Sequence, residues 1–169
     1  MATLIGTNFT ATTFATATNT TPVLGGGKGF SVGTRAEDNN GKQYIFCQVN
    51  TAVAAYDVVY IPSDTFIAAG LTTATSAASE AIGVAQYALA SGDYGWIQIY
   101  GACKVKALGA CAKSVTLYST TTAGSLDDAT ASNYEVRSIQ LLSTNPSATA
   151  SAMSAFISYP KVRILPGVL

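Results

Sequence analysis

"GDYGWIQIYGACKV", Gly92 to Val105, is the stretch on which the fold class turns. Gly92-Asp93 is a turn signal. After it Trp96, Gln98 and Tyr100 alternate with Ile97 and Ile99, the two-residue period of a strand. Gly101 predicts a bend or a stop, and Cys103 to Ala107 resumes the sheet. No side chain in this stretch is a catalyst, so function has to be sought in architecture and assembly.

The same β signal recurs on both sides of it. "QYIFCQV", Gln43 to Val49, puts Tyr44, Phe46 and Gln48 on one face, behind the turn residues Asn39-Asn40-Gly41. "DVVYI", Asp57 to Ile61, ends at Pro62. Phe66-Ile67 starts a short strand that ends by Gly70. "AIGVAQY", Ala81 to Tyr87, contains Gly83, a candidate bulge. "VTLYS", Val115 to Ser119, "EVRSIQLL", Glu135 to Leu142, "AFISY", Ala155 to Tyr159, and "VRIL", Val162 to Leu165, complete the series. The windows Thr72 to Glu80 and Asn145 to Met153 lack an apolar stripe and read as loops. Short strands with turn signals every ~8–12 residues predict an all-β fold, a small antiparallel barrel or sandwich.

An internal similarity runs through the series. "VVYIPSDTFIAAG" from Val58 parallels "VTLYSTTTAGSL" from Val115, and "WIQIYGACKV" parallels "AFISYPKV". Val58 and Val115 are 57 positions apart, as are Val105 and Val162. Two similar β units, about 43–110 and 111–169, would follow from a duplication; chance likeness in an Ala/Thr-rich chain is the alternative. Two copies are too few for an open solenoid.

Residues 1–29 differ from the β domain at 30–169. "TNFTATTFATATNTTPVLGGGKG" is rich in Thr and Ala, which favours extended backbone, and its aromatics are too widely spaced to make a core. It reads as an extended N-terminal arm closed by the Gly25-Gly26-Gly27 hinge. Phe9, Phe14, Val23 and Leu24, with Phe30 just after it, are candidate contacts with a neighbouring surface. Tyr94, Trp96 and Tyr100 are aromatics that could stack sugars or bases; core or subunit-contact packing on a β face is the simpler expectation, because apolar neighbours surround them.

The totals narrow the function. Of 169 residues, 49% are hydrophobic, which excludes disorder by composition, and only 11% are charged, against about 25% in ordinary soluble domains. Nine basic residues balance nine acidic ones, so no basic excess exists to hold a phosphate backbone, and no nucleic-acid partner is expected. A chain this weakly charged is poorly protected against self-association and fits an assembly. No apolar run nears the roughly 20 residues of a membrane helix, and Met1 to Thr21 lacks the basic and apolar regions of a signal peptide. The sequence-based expectation is therefore a chain made in the cytoplasm, with no membrane partner.

Candidate chemistry is thin. There is no histidine, so no Ser-His or Cys-His pair can form. Lys113 and Ser114 are sequence neighbours and would point to opposite faces of a strand. Asp127-Asp128 is the one adjacent Asp pair and sits in turn chemistry after Gly124-Ser125-Leu126. Glu37-Asp38 before Asn39-Asn40-Gly41 lacks the spaced ligand series of a calcium loop. "GGGKG" lacks the spacing and the following helix of a phosphate loop. Cys47, Cys103 and Cys111 form no CxxC pair and read as buried free thiols; a Cys103–Cys111 disulfide is the alternative. No catalytic residue, cofactor or metal is expected.

The segment from Asp57 to Leu126 resembles the bacteriophage head decoration, or capsid cement, proteins. Ile82-Gly83-Val84-Ala85 matches that family's "A-x-G-V-A" strand. Ser91-Gly92-Asp93 leads into Trp96-Ile97-Gln98-Ile99-Tyr100-Gly101, and Leu117-Tyr118 with Ala123-Gly124-Ser125-Leu126 completes the pattern. Tyr56-Asp57 stands where Gly-Asp is usual, and Lys113-Ser114 replaces a second Gly-Asp. The resemblance implies a structural virion protein, not an enzyme, that binds the outer surface of the capsid. Its partners would be the major capsid protein and itself, as a homotrimer. A head fibre or tail component and a carbohydrate-binding β module are the alternatives.

Overall fold

The structure, a computed structural model, describes residues 3–5, 13–14, 30–78, 81–130 and 134–165, with side chains from residue 30 onward except 77–78. Twelve strands form one continuous sheet: β1 Thr3–Ile5, β2 Thr13–Phe14, β3 Arg35–Glu37, β4 Gln43–Val49, β5 Val58–Ile61, β6 Ile67–Gly70, β7 Ala81–Ala85, β8 Tyr94–Ala107, β9 Leu117–Ser119, β10 Leu126–Asp127, β11 Tyr134–Leu141 and β12 Ser151–Ile164. The described residues hold no α-helix, only a 3-10 turn at Thr75–Ala78. The all-β expectation is met.

The sheet closes on itself twice. In the first ring β4 pairs with β6, β6 with β5, β5 with β7, β7 with β8, and β8 returns to β4. In the second, β8 pairs with β10, β10 with β9, β9 with β11, β11 with β12, and β12 returns to β8. The order of parallel and antiparallel steps is the same in both: one parallel pair, β4–β6 or β8–β10, and four antiparallel pairs. The rings share β8, whose first half serves the first ring and whose second half serves the second. The doubling seen in the sequence is thus a doubling of rings, with its boundary inside β8 rather than at residue 110.

Backbone strain repeats with the rings. Tyr56 and Ser114, Phe66 and Gly124, and Gly101 and Tyr159 all have left-handed φ, between 50° and 103°, and the members of each pair are 58 positions apart. These turns occupy matching places in the two rings.

Alternation along the strands fills three clusters. Ile45, Cys47 and Val49 of β4 point into the first ring with Val59, Ile61, Ala68, Ile97 and Ile99. Val105, Ala107, Leu117, Leu126, Val136, Leu141 and Ile157 fill the second, joined by Val58, Ile82 and Val84 from the opposite faces of β5 and β7. Tyr44, Phe46, Tyr94 and Trp96 lie on the other face of the β4–β8 pair and form an aromatic cluster with Ala36. β4 and the first half of β8 are therefore buried on both faces, which is why they read as near-continuous apolar runs.

Several local expectations are corrected. Gly101 does not end its strand: it takes φ 103° and stays in register with Ile157, so the ladder passes through the bend. β12 likewise runs on past Pro160, where the β11 register slips between Arg137 and Ile139 and no ladder amide is demanded of proline. Gly83 is in regular register with Val59 and is no bulge. A Cβ there would lie 2.6 Å from Ile97 Cγ2 and 2.8 Å from the Gln98 carbonyl oxygen, so glycine is needed for close strand approach. Ser151 to Met153, expected as loop, is strand because β8 supplies partners from Ala107 to Val105. β3 and β10 were not expected; both are too short to show a period.

A polar joint ties the rings together. The Asp57 carboxylate accepts from the Ala54 amide at 2.9 Å and from Lys106 Nζ at 3.0 Å, while the Lys106 amide donates to the Tyr56 carbonyl at 2.8 Å. Gly124 packs against this carboxylate: a Cβ on it would sit 2.4 Å from Asp57 Cγ, at φ +76°. Gly124→Ala is therefore expected to destabilise by about 2–4 kcal/mol, from left-handed strain plus overpacking. Urea unfolding of the variant, compared with Gly41→Ala, whose Cβ would meet nothing within 4 Å although its φ is +72°, separates the packing part from the backbone part.

Candidate functional site

The aromatic candidates divide. Tyr94 and Trp96 are 7% and 1% exposed, so the expectation that they form a contact face is corrected. Phe30 packs edge-on against Phe46 and Trp96, with ring centroids 5.6 and 5.0 Å away, and Phe46 stacks on Tyr94 at 6.1 Å. The turn and strand from Phe30 to Glu37 cover the outer face of β4 and β8, which is what makes this face core. Tyr87 completes the cluster by accepting from the Trp96 amide at 2.7 Å and donating to its carbonyl at 3.2 Å. Phe9, Val23 and Leu24 lie outside the described residues. Phe14 is described by its backbone alone, in β2, which pairs with Gly95 and Tyr94 of its own chain.

Tyr100 is different. It is half-buried and meets Phe156 at 5.6 Å and Tyr159 at 5.4 Å, and those two rings are 40% and 43% exposed. They form an aromatic patch where β8 leaves the first ring and β12 crosses its end. The Tyr159 hydroxyl donates to Gln43 Oε1, which fixes its ring over β4.

Beside this patch the first ring is open. A cavity of about 230 Å³ has walls of Ile45, Ile61, Phe66, Ala81 and Ile99, with Tyr159 and Pro160 at its edge. Arg35 of β3 and Lys161 of β12 stand exposed at the mouth, and among the described residues neither is in an ion pair. The three salt bridges in the described residues are Lys106–Asp57, Arg137–Glu135 and Arg163–Glu135. An apolar well with two cations at its lip, neither in an ion pair among the described residues, is the candidate site. Sequence reasoning did not find it. Arg35 lies in a segment with no strand signal, and Lys161 was marked only as part of a repeated Lys-Val pair.

Other polar groups are engaged in holding turns. Asp38 Oδ1 accepts from the amides of Asn40 and Lys42, and Tyr44 donates to its Oδ2 at 3.3 Å. The donor atoms of Cys111, Asp127 and Asp128 lie within 4.8 Å of one another, a set that could in principle hold a cation. Both carboxylates already accept backbone amides, Asp128 from Ala112 and Asp127 from Asp128, which accounts for their placement. All three cysteines are free thiols. Burial pushes Cys47 and Cys103 up to about 12, the latter against the pull of Lys42. Burial, with Asp128 and Asp127 nearby, pushes Cys111 up to about 11. They are neutral thiols near pH 7, poor nucleophiles and poor metal ligands.

Compared with protein-family models, curated proteins and solved structures, the chain shows no significant match to any of the three.

The thiols and Tyr87, pushed up to about 12 by burial, set the alkaline behaviour. These groups ionise in the unfolded chain at about 8.5 for cysteine and 10 for tyrosine, well below their folded values. Their contribution to stability is complete below pH ~8.5 and is lost as pH rises toward 11–12. Thermal melts should hold level from pH 7 to 8 and fall steadily above 9. At pH 8 a thiol reagent should modify Cys103 slowly and Cys47 and Cys111 not at all until the chain is unfolded.

Proposed function

We propose that this chain is a structural virion protein, a capsid decoration protein that binds the outer surface of a bacteriophage head as a homotrimer and stabilises the shell. The observation that carries the proposal is the placement of the motif residues behind the resemblance. Gly92 and Gly124 have φ 85° and 76°, and Tyr56, which stands in a Gly-Asp position, has φ 73°. A pattern of turn glycines leading into strands carries weight when those positions need left-handed backbone, and these do. In the second replaced Gly-Asp pair the left-handed residue is Ser114, at the Asp position, with φ 57°.

The architecture suits a brace. Two fused rings resist deformation, because bending one strains the strand it shares with the other. The chain would act by burying surface between itself, its sister subunits and the major capsid protein. In this proposal Phe9, Phe14, Val23 and Leu24 supply apolar contacts from the N-terminal region. A sugar-binding module would want an exposed, flat aromatic row. The buried Trp96 and Tyr94 do not supply one, and the rings of Tyr100, Phe156 and Tyr159 meet at 78° and 33°.

Light scattering of the intact protein and of a form lacking residues 1–29 tests the assembly. Three times the 17.3 kDa chain mass is expected for the intact protein. A trimer in both forms would place the subunit contact on the rings; a trimer lost on truncation would place it on the N-terminal region. A monomer in both forms defeats the trimeric decoration reading.

A further inference from the structure

We propose that the open end of the first ring is a peptide-docking socket. It takes one apolar side chain of an extended partner segment, flanked on the same face by carboxylates that pair with Arg35 and Lys161. If the decoration reading holds, the partner is a segment of the shell protein; only that identity rests on the reading, and the recognition chemistry does not.

Four features carry the inference. The first is size. An apolar cavity of about 150 Å³ lined by aliphatic and aromatic side chains holds a benzene molecule, so the 230 Å³ space between Ile45, Ile61, Phe66, Ala81 and Ile99 takes a leucine or phenylalanine side chain. The second is charge. Arg35 and Lys161 flank the mouth from two different strands, and among the described residues no carboxylate neutralises either. In a chain with nine basic residues, two cations beside one apolar well make a composite surface that complements an apolar group set between acids. The third is the adjoining patch of Tyr100, Phe156 and Tyr159, exposed aromatic surface against which the rest of a bound segment could lie. The fourth is rigidity. The walls come from strands of a closed ring, and Tyr159 is tied to Gln43, so little ordering is needed on binding.

The spacing of the partner's residues follows. In an extended segment side chains two positions apart share a face. Acids at the positions two before and two after the apolar residue would therefore reach the two cations while it enters the well. Arginine's planar fork suits a carboxylate, and lysine adds a point charge.

The probe is the peptide acetyl-Ser-Asp-Ser-Leu-Ser-Asp-Ser-amide, titrated into the full-length, isotope-labelled protein and followed by amide chemical shifts. Controls replace both Asp by Asn, or the Leu by Ala. The expected result is millimolar binding, with shifts confined to Arg35, Ser63, Phe66, Ala81 and Lys161 and their neighbours. Each control should bind at least about fivefold more weakly. Arg35→Glu with Lys161→Glu should lose the acidic peptide at an unchanged melting temperature. Ala81→Phe, at the exposed edge of the mouth, should lose it by filling the well.

Equal binding of the three peptides, or shifts elsewhere, would overturn the socket. Two results would replace its occupant and so also overturn the proposal. One is that the same residues shift with protein concentration alone, which assigns the surface to a second copy. The other is that decanoate binds there more tightly than the peptide, which assigns it to a free amphipathic anion. A monomer by light scattering combined with positive peptide binding would sink the decoration reading and leave the socket standing.

Discussion

Strand β8 has to serve two closed rings at once, and most of the structure follows from that. From Tyr94 to Ile99 it is covered on both faces, by the first ring's interior on one side and by the aromatic cluster on the other. From Gly101 it turns, and its partners change from β4 and β7 to β12 and β10. A strand that changes company halfway needs a residue that can change direction without breaking the ladder. Gly101 meets that need with a left-handed backbone that an L side chain would strain. Its counterpart Tyr159 meets it at the surface without glycine, and its ring is put to use over the mouth of the first ring.

The joint around Asp57 does for the turns what β8 does for the strands. One carboxylate, 6% exposed as a residue, closes its own turn, takes the Lys106 ammonium from the second half of β8, and packs on Gly124 ahead of β10. The ammonium it pairs with is partly exposed, so the ion pair by itself is worth little. Its placement matters more, because losing the carboxylate would leave an unpaired amide at Ala54 and a gap beside Gly124.

Much of this was legible in the sequence. Gln43 to Val49 and Tyr94 to Tyr100 were readable as strands because burial on both faces makes them apolar runs bounded by turn residues, and the internal likeness pointed to two units. What was illegible depended on partners distant in the chain. Ser151-Ala152-Met153 has no strand propensity of note and is strand because β8 lies beside it. Arg35 to Glu37 is too short for a period to appear. Trp96 and Tyr94 looked equally suited to a core or a contact face, since the strand alone does not reveal that Phe30 and Ala36 come to lie over them. The socket was hidden for the same reason: its walls come from β4, β5, β7 and β8, and its cations from β3 and β12.

Sharing β8 also governs the order in which the chain can fold. The first ring closes on a pairing of Gln43 with Tyr100, and the second on Ala107 with Ser151. As the chain leaves the ribosome, β4 through β7 must wait for residues 94–100 before any ring can shut. The second half of β8 then has only the Tyr56 carbonyl and, once it emerges, the short β10 as partners until β12 supplies the full ladder. Folding of this kind, dominated by distant pairings, is intrinsically slow. The half-finished protein would carry one complete ring and a projecting strand with Val105 and Ala107 bare on one face and Lys104 and Lys106 on the other.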